Sequence, residues 1–500
     1  MPTLRVSESP VRLVLPIGQV LTVTAPAGSS AYVVEPETLV PALSIASQSQ
    51  KVGPYEATKN ITLTCTTGAI SYEVSEAPST VVTSTDGGTL IGIANGRKTI
   101  KGWPLNRMFR AALDCNQSTP AAQPSMTWQH MVQCDAPFDA VRPIVMHSTS
   151  AQAGVTFACA SGADWSDKTG NALTWVAGTW AGGSSSGTLA VGTAARPSVN
   201  VPDMCYVQSL ARTDGGSGAI AYVRLYLPTA GSAAQCLHQS GDYSQISGLT
   251  KGAMYVNRWA GDGVSVIANY SPGAGRLDSP IWGFEFLCRG QVVGVVAVGD
   301  SITAGTGSTI LRRNWAERAA ITNSATGSIV AFGSANGGFP GQTSSQYVLR
   351  ALDLITALTP PVMVYSPWTP NDFPGAGGPV TATVINLMRA NLAKFVAACR
   401  AVGTLPVIWT GLPCPSKGIN AASDQLRKDF NAEIRATYGT QVIVWDADAV
   451  MSNGASPAGF LPGMSADDLH PTDAGYDALA AKFWLDALGP VVSVNTGITL

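Results

Sequence analysis

From Val292 onward the chain alternates between short apolar runs and stretches with helical periodicity, and no other feature limits its fold as strongly. The runs are "VVGVVAVGD", "SIVAFGSA", "PVMVYSPW", "LPVIWTGLP" and "QVIVWDAD". Each is continuous and apolar, as parallel strands covered on both faces are. Helical spacing fills the gaps, at Arg312–Thr322, Ser344–Leu358, Thr381–Val402, Ala421–Tyr438 and Thr472–Leu488. In the third of these, Val384, Leu387, Ala390, Leu392, Phe395, Val396 and Cys399 approximate one face. Five such units in about 200 residues imply an α/β three-layer domain, a doubly wound parallel sheet with helices on both sides. The working site of such a sheet lies beyond the C-terminal ends of its strands.

Before Gln291 the pattern is different. "QVLTVTA", "NITLTCTTGAISYEV", "AYVRLYL" and "GVSVIANY" carry partial two-residue alternation, and turn clusters such as "PAGSS", "TDGG" and "AGGSSSG" separate them. Charged residues are 12% of the chain, about half the usual share, and glycine is abundant at 52 residues. Short strands and tight turns are expected throughout this half. With 500 residues, several cores are needed. The expected division is a small β-rich module over 1–95, serving attachment or oligomerisation, and a β-sandwich-like domain over 96–290, a candidate for carbohydrate binding. The α/β domain follows over 291–489, with a tail over 490–500.

Net charge is −2 and no Lys/Arg block appears, so a nucleic-acid partner is not expected. No run of about 18 apolar residues occurs, and no membrane span is expected. Pro2, Glu8 and Pro10 interrupt the place of a secretory h-region. The nine cysteines are scattered and form no Cys-x-x-Cys pair, which argues against structural zinc and for reduced buried thiols.

The first apolar run ends in "GDSITAG", which sets Ser301 just past a strand. A serine attacks a carbonyl only with a base to take its proton and donors to hold the resulting oxyanion. Only four histidines exist, so candidates for the base are few. In "SADDLHPTDAGY", His470 follows Asp467 by three residues, close enough for the acid to fix the imidazole tautomer. Asp468 competes for this role, but an immediate neighbour tends to point away. "NGGFPGQTS" after the second run offers the Gly341 N–H, and "SPWTPNDF" after the third offers the Asn371 amide. The Ser301 N–H would be a third donor. Trp368 and Phe373 flank Asn371 and are candidate walls for an acyl group, though packing at a strand end explains them equally well. Asp300 reads as a turn-stabilising carboxylate.

"GDSIT", "NGGFPG", "ND" and "DDLH", in this order, resemble the four blocks of the SGNH (GDSL-like) hydrolase superfamily. The resemblance covers roughly Val292 to Gly489. It implies a flavodoxin-like fold and ester cleavage without metal or cofactor. It makes Ser301 the nucleophile, His470 the base and Asp467 the orienting acid, with Ser301, Gly341 and Asn371 forming the oxyanion hole. Thr369 stands where the third block usually has Gly, and Ile302 where the first usually has Leu. The stretches "RLVLPIGQVLTVTAPAGSSAYVV" and "GPYEATKNITLTCTTGAISYEV" resemble N-terminal modules of bacteriophage or prophage tail-associated proteins.

Together these resemblances imply a virion or extracellular trimer that contacts other tail proteins and deacetylates a bacterial surface polysaccharide. Two alternatives stay open. One is a non-catalytic structural or glycan-binding tail protein. The other is a cellular short-chain esterase or lipase unrelated to phage.

Overall fold

A computed structural model describes ten strands before residue 101 and, beyond it, residues 106–111, 125–147, 151–193, 195–228, 236–237, 254–265, 278–289, 292–309, 314–319, 331–373, 380–438 and 442–488. The chain divides into two compact units, Met1–Gly92 and Ile93–Leu500. The first unit holds two four-stranded antiparallel sheets. One runs in the order Thr3–Arg5, Ala69–Glu76, Gln19–Thr24, Ser49–Val52. The other runs Val11–Leu15, Lys59–Thr67, Ser30–Val34, Leu43–Ala46.

In the second unit, residues up to Cys288 build two larger antiparallel sheets beside small two-stranded pairings. One is ordered Arg107–Ala111, Ile281–Cys288, Phe138–His147, Ser198–Asn200. The other is ordered Val176–Ala177, Gln152–Gly162, Ala219–Leu227, Met126–Cys134, Met254–Ala260. They face each other across one core. Along Ala219–Leu227, Ala221, Val223, Leu225 and Leu227 enter that core with Trp128, Phe138, Phe157, Phe284 and Phe286. The intervening Tyr222, Arg224 and Tyr226 point the other way, as strand alternation requires. Arg224 is nonetheless fully buried, because Trp175 covers its guanidinium at 4.3 Å and the carbonyls of Thr169 and Gly263 accept from it. The run "GVSVIANY" is not a strand where it is described: residues 263–265 form a turn, and the remainder lies outside the described residues.

The C-terminal part is the expected three-layer α/β fold. Its five strands are Val292–Gly299, Ala331–Gly338, Val362–Tyr365, Leu405–Trp409 and Ile443–Trp445. They pair in parallel with the second strand outside the first, then the first, third, fourth and fifth. This is the flavodoxin-like order, in which the connections reverse direction beside the first strand.

Alternate residues of the first strand serve opposite faces. Val292, Val296 and Val298 pack toward the helices Ser344–Leu358 and Ala382–Ala401. Val293, Val295 and Ala297 pack toward Trp315 and the helix Asp473–Phe483. Thr381, Asn420 and Thr472 cap their helices by accepting the N–H groups of Val384, Ser423 and Gly475. The helices expected over 421–438 and 472–488 end in π-turns at Ile434–Tyr438 and Trp484–Leu488. Of the helix expected at 312–322, residues 315–319 are helical and most of the rest lies outside the described residues.

One detail of the sequence reading is corrected. The buried stripe of Ala382–Ala401 begins at Ile385 and Met388, then continues through Leu392, Phe395, Val396 and Cys399. Leu387 is 42% exposed and Ala390 faces solvent. Apolar residues were too common in this helix for periodicity alone to choose between neighbouring registers.

The sandwich and the parallel sheet share their core. The strand Arg107–Ala111 crosses so close to the parallel sheet that a Cβ at Gly294 would lie 2.5 Å from the Arg107 carbonyl oxygen. A Cβ at Gly333 would lie 2.4 Å from that of Phe109. Only glycine permits this approach. Trp282 Nε1 donates to the Asn336 carbonyl at 2.9 Å, and Arg107 donates to the carbonyls of Leu358 and Thr359. Cysteines 134, 159, 205, 288, 399 and 414 are free and buried. Among the described residues no helix is long and apolar enough to cross a membrane.

Candidate active site

Ser301 opens a one-turn helix, Ser301–Ala304, at the end of the first parallel strand. Asp300 caps the turn by accepting the Ile302 N–H at 3.0 Å, and Gly305 closes it at φ 100°. The positive φ is open to glycine at little cost. Asp300 is 1% exposed, and burial pushes its carboxyl up despite bonds from Thr369 and the Ile302 N–H.

His470 comes from the loop before the last helix, 169 residues away in sequence, and its Nε2 lies 3.0 Å from Ser301 Oγ. Its Nδ1 lies 2.7 Å from Asp467 Oδ2. Asp467 Oδ1 also accepts the backbone N–H groups of Leu469 and His470. Burial alone would raise the Asp467 carboxyl, but these bonds and the His470 ring outweigh it and hold it at about 2. Asp468 takes no part. It adopts φ 57°, and its carbonyl accepts from the Ser416 N–H.

Several groups press the histidine loop onto the serine turn. Tyr476 Oη donates to the carbonyls of Ile302 and Thr306, at 3.1 and 2.8 Å. Ser465 Oγ donates to the His470 carbonyl at 2.8 Å. Gly307 lets the loops meet, since a Cβ there would lie 2.5 Å from the Pro471 carbonyl oxygen. Its place in "GTGS" is the only sequence signal for that contact.

Gly341 sits at the rim with φ 77° and is exposed. Among the described residues, neither its N–H nor that of Ser301 is hydrogen bonded. Asn371 Nδ2 donates to the Gln342 carbonyl at 3.0 Å, which sets the amide beside Gly341 and leaves its second N–H for a ligand. Asp372 accepts the Ser344 N–H and so ties the asparagine loop to the start of the helix Ser344–Leu358.

Trp368 lines a small cleft with Ile302, Pro370, Leu412, Cys414 and Leu469. Ile302, Pro370 and Leu469 adjoin Ser301, Asn371 and His470 in sequence. Phe373 does not line this cleft. It meets the Trp368 ring nearly edge-on at 5.2 Å.

The departure at Thr369 has a physical explanation. Its backbone is extended at φ −143°, so glycine is not needed. Its hydroxyl donates to Asp300 Oδ2 at 2.6 Å and accepts the Asn371 N–H at 3.3 Å, tying the serine turn to the asparagine loop. Sequence reading saw only a missing glycine here. Thr369→Val should therefore lower stability by about 1–3 kcal/mol and reduce any Ser301-dependent turnover. Urea unfolding and initial rates on one preparation check both, and an unchanged variant would show that the hydroxyl ties nothing together.

Residues 297–478 match the GDSL-like lipase/acylhydrolase family. Solved structures similar to the chain include a GDSL-like lipase from Bacteroides thetaiotaomicron, 21% identical over 41% of this chain and 88% of that one, with a TM-score of 0.30. Another is a psychrotrophic esterase, EstA, from Pseudoalteromonas sp., 16% identical over 38% of this chain and 94% of that one, with a TM-score of 0.28. A third is an acetyl xylan esterase, 17% identical over 39% of this chain and 98% of that one, with a TM-score of 0.31. No curated protein matches the chain. The GDSL-like region thus holds Ser301, Gly341, Asn371, Asp467 and His470 within its bounds. Among the described residues no group of His, Cys, Asp and Glu is arranged to hold a metal ion.

Proposed function

We propose that the GDSL-like region is a serine esterase, with Ser301 as nucleophile, His470 as base and Asp467 as orienting acid. The observation that carries this reading is the continuous bond chain from Asp467 through His470 to Ser301 Oγ. Ser301 Oγ attacks the ester carbonyl as His470 Nε2 takes its proton. The charge developing on the carbonyl oxygen falls to the N–H groups of Ser301 and Gly341 and the free N–H of Asn371. His470 then protonates the departing alcohol, leaving an acyl group on Ser301. Water, deprotonated by the same imidazole, releases the acid. Asp467 remains a carboxylate throughout and balances the imidazolium.

A short acyl group is the proposed substrate. The cleft lined by Ile302 and Leu469, next in sequence to Ser301 and His470, has about 10 Å³ of room, on the order of one water molecule, and supports a small acyl group over a lipid chain. The proposed setting is a phage tail protein, a trimer in the virion, removing acetyl groups from a bacterial surface polysaccharide. The N-terminal stretches quoted above and the sandwich preceding the GDSL-like region support it. Acetate release from purified bacterial polysaccharides, compared between the wild type and Ser301→Ala, tests the substrate. Ser301-dependent hydrolysis of free esters but of no polysaccharide would favour a short-chain esterase of another setting.

The pH profile follows from the Asp467 geometry. A carboxyl held at about 2 is ionised at every pH above it, and it is lost only as pH falls through that value. The acid limb of kcat/KM is therefore expected to show no inflection from Asp467 between about pH 3 and 5. A carboxylate inflection in that window would contradict the assignment.

A further inference from the structure

Gln342 follows the rim glycine Gly341, and its side chain is 1% exposed. Its Oε1 accepts from Arg350 Nη1, and its Nε2 donates to the Ala195 carbonyl at 2.8 Å. Its own carbonyl holds the Asn371 amide at 3.0 Å. Arg350 is fully buried and lies over the Phe339 ring at 3.8 Å. Its Nε donates to the Gly337 carbonyl at 3.1 Å and its Nη2 to the Gly299 carbonyl at 3.2 Å.

These contacts have a pattern. Gly299 ends the strand that delivers Ser301, and Gly337 lies at the end of the strand that leads to Gly341. One guanidinium therefore spans both strand ends and bonds the side chain of Gln342, whose carbonyl holds Asn371. Its rigid fork of donors suits it to join three acceptors at once. The Ala195 carbonyl comes from the sandwich, and its neighbour Arg196 pairs with Asp353 on the helix Ser344–Leu358 at 2.7 Å. The sandwich thus touches the network that surrounds the three oxyanion donors.

We propose that Arg350 and Gln342 are positioning residues for the oxyanion hole, braced by the sandwich loop at Ala195. They touch no substrate. They set the spacing between the Ser301 N–H, the Gly341 N–H and the Asn371 amide, so their effect falls on the charged transition state and not on ground-state binding. This inference rests on the esterase reading above.

The test is a double-mutant cycle on the full chain, with p-nitrophenyl acetate as substrate. Gln342→Ala is expected to lower kcat about ten- to a hundredfold while KM stays within about twofold. In an Asn371→Ala background the same change should cost several-fold less, because one of the three donors it spaces is already gone. Gln342→Glu keeps an acceptor for Arg350 and should retain more kcat than Gln342→Ala. Arg350→Lys, which keeps the charge and loses the fork, runs the cycle independently if Gln342→Ala fails to fold.

Equal losses in both backgrounds, a rise in KM alone, or a Glu variant as poor as the Ala variant would overturn the relay. Ser301-dependent activity that Gln342→Ala leaves unchanged removes only this inference. More than about a tenth of the wild-type activity surviving in Ser301→Ala removes the esterase reading itself.

Discussion

Ser301→Ala should lower kcat for short-chain esters by a factor of about 10⁴ to 10⁶, with only oxyanion-hole and binding effects remaining. The loss is large because no other group in the site replaces a hydroxyl already bonded to its base at 3.0 Å. His470→Ala should cost about as much, and the double variant little more, since the two act as one unit. Stability should move little. Among the described residues the Ser301 hydroxyl is bonded to His470 alone, and alanine fits the same turn. Initial rates with p-nitrophenyl acetate, alongside urea unfolding, separate the two effects. More than about a tenth of the wild-type kcat in Ser301→Ala would remove this serine from the reaction.

Trp445→Ala should destabilise the second unit by about 3–5 kcal/mol. Trp445 ends the last parallel strand and is fully buried. Its ring lies 4.7 Å from that of Trp315, 4.8 Å from that of Trp409 and 5.1 Å from that of Phe483. The Trp409 pair is stacked at 20° and the Phe483 pair meets edge-on, both favoured aromatic geometries. Truncation removes one ring from a cluster whose neighbours are held by a strand and two helical segments, so collapse into the cavity is restricted. The change should appear as a lower urea midpoint at unchanged slope. A shift worth less than about 1 kcal/mol would mean that the cluster repacks freely.

Much of the fold and site was legible in the chain itself. Continuous apolar runs could only be covered strands, and the helices between them forced parallel pairing. Ser301, Gly341, Asn371 and His470 each follow such a run or precede the last helix, where a doubly wound sheet gathers its loops. The choice of Asp467 over Asp468 was also available, because a three-residue separation lets a carboxylate turn back to an imidazole. In the structure Asp467 lies on the His470 Nδ1, and Asp468 adopts φ 57°. The helix Ala382–Ala401 was placed well in length, but its buried face was misjudged at Leu387 and Ala390.

Other features had no local signature. Thr369 read as a missing glycine until its hydroxyl was seen between Asp300 and Asn371. Nothing in the local sequence marks Arg350 and Gln342, whose bonds reach two strand ends and a loop of the sandwich. Tyr476, on the last helix, reaches the carbonyls of Ile302 and Thr306 in the serine turn, a contact that no local pattern marks.

The division has a physical cause. Residue order along the chain determined which elements form and which loops share an edge of the sheet, since periodicity, caps and turn glycines act over a few residues. Which buried hydroxyl, amide or guanidinium satisfies which distant carbonyl was decided only when the core closed, because burial makes an unmet polar group costly and packing leaves few partners within reach.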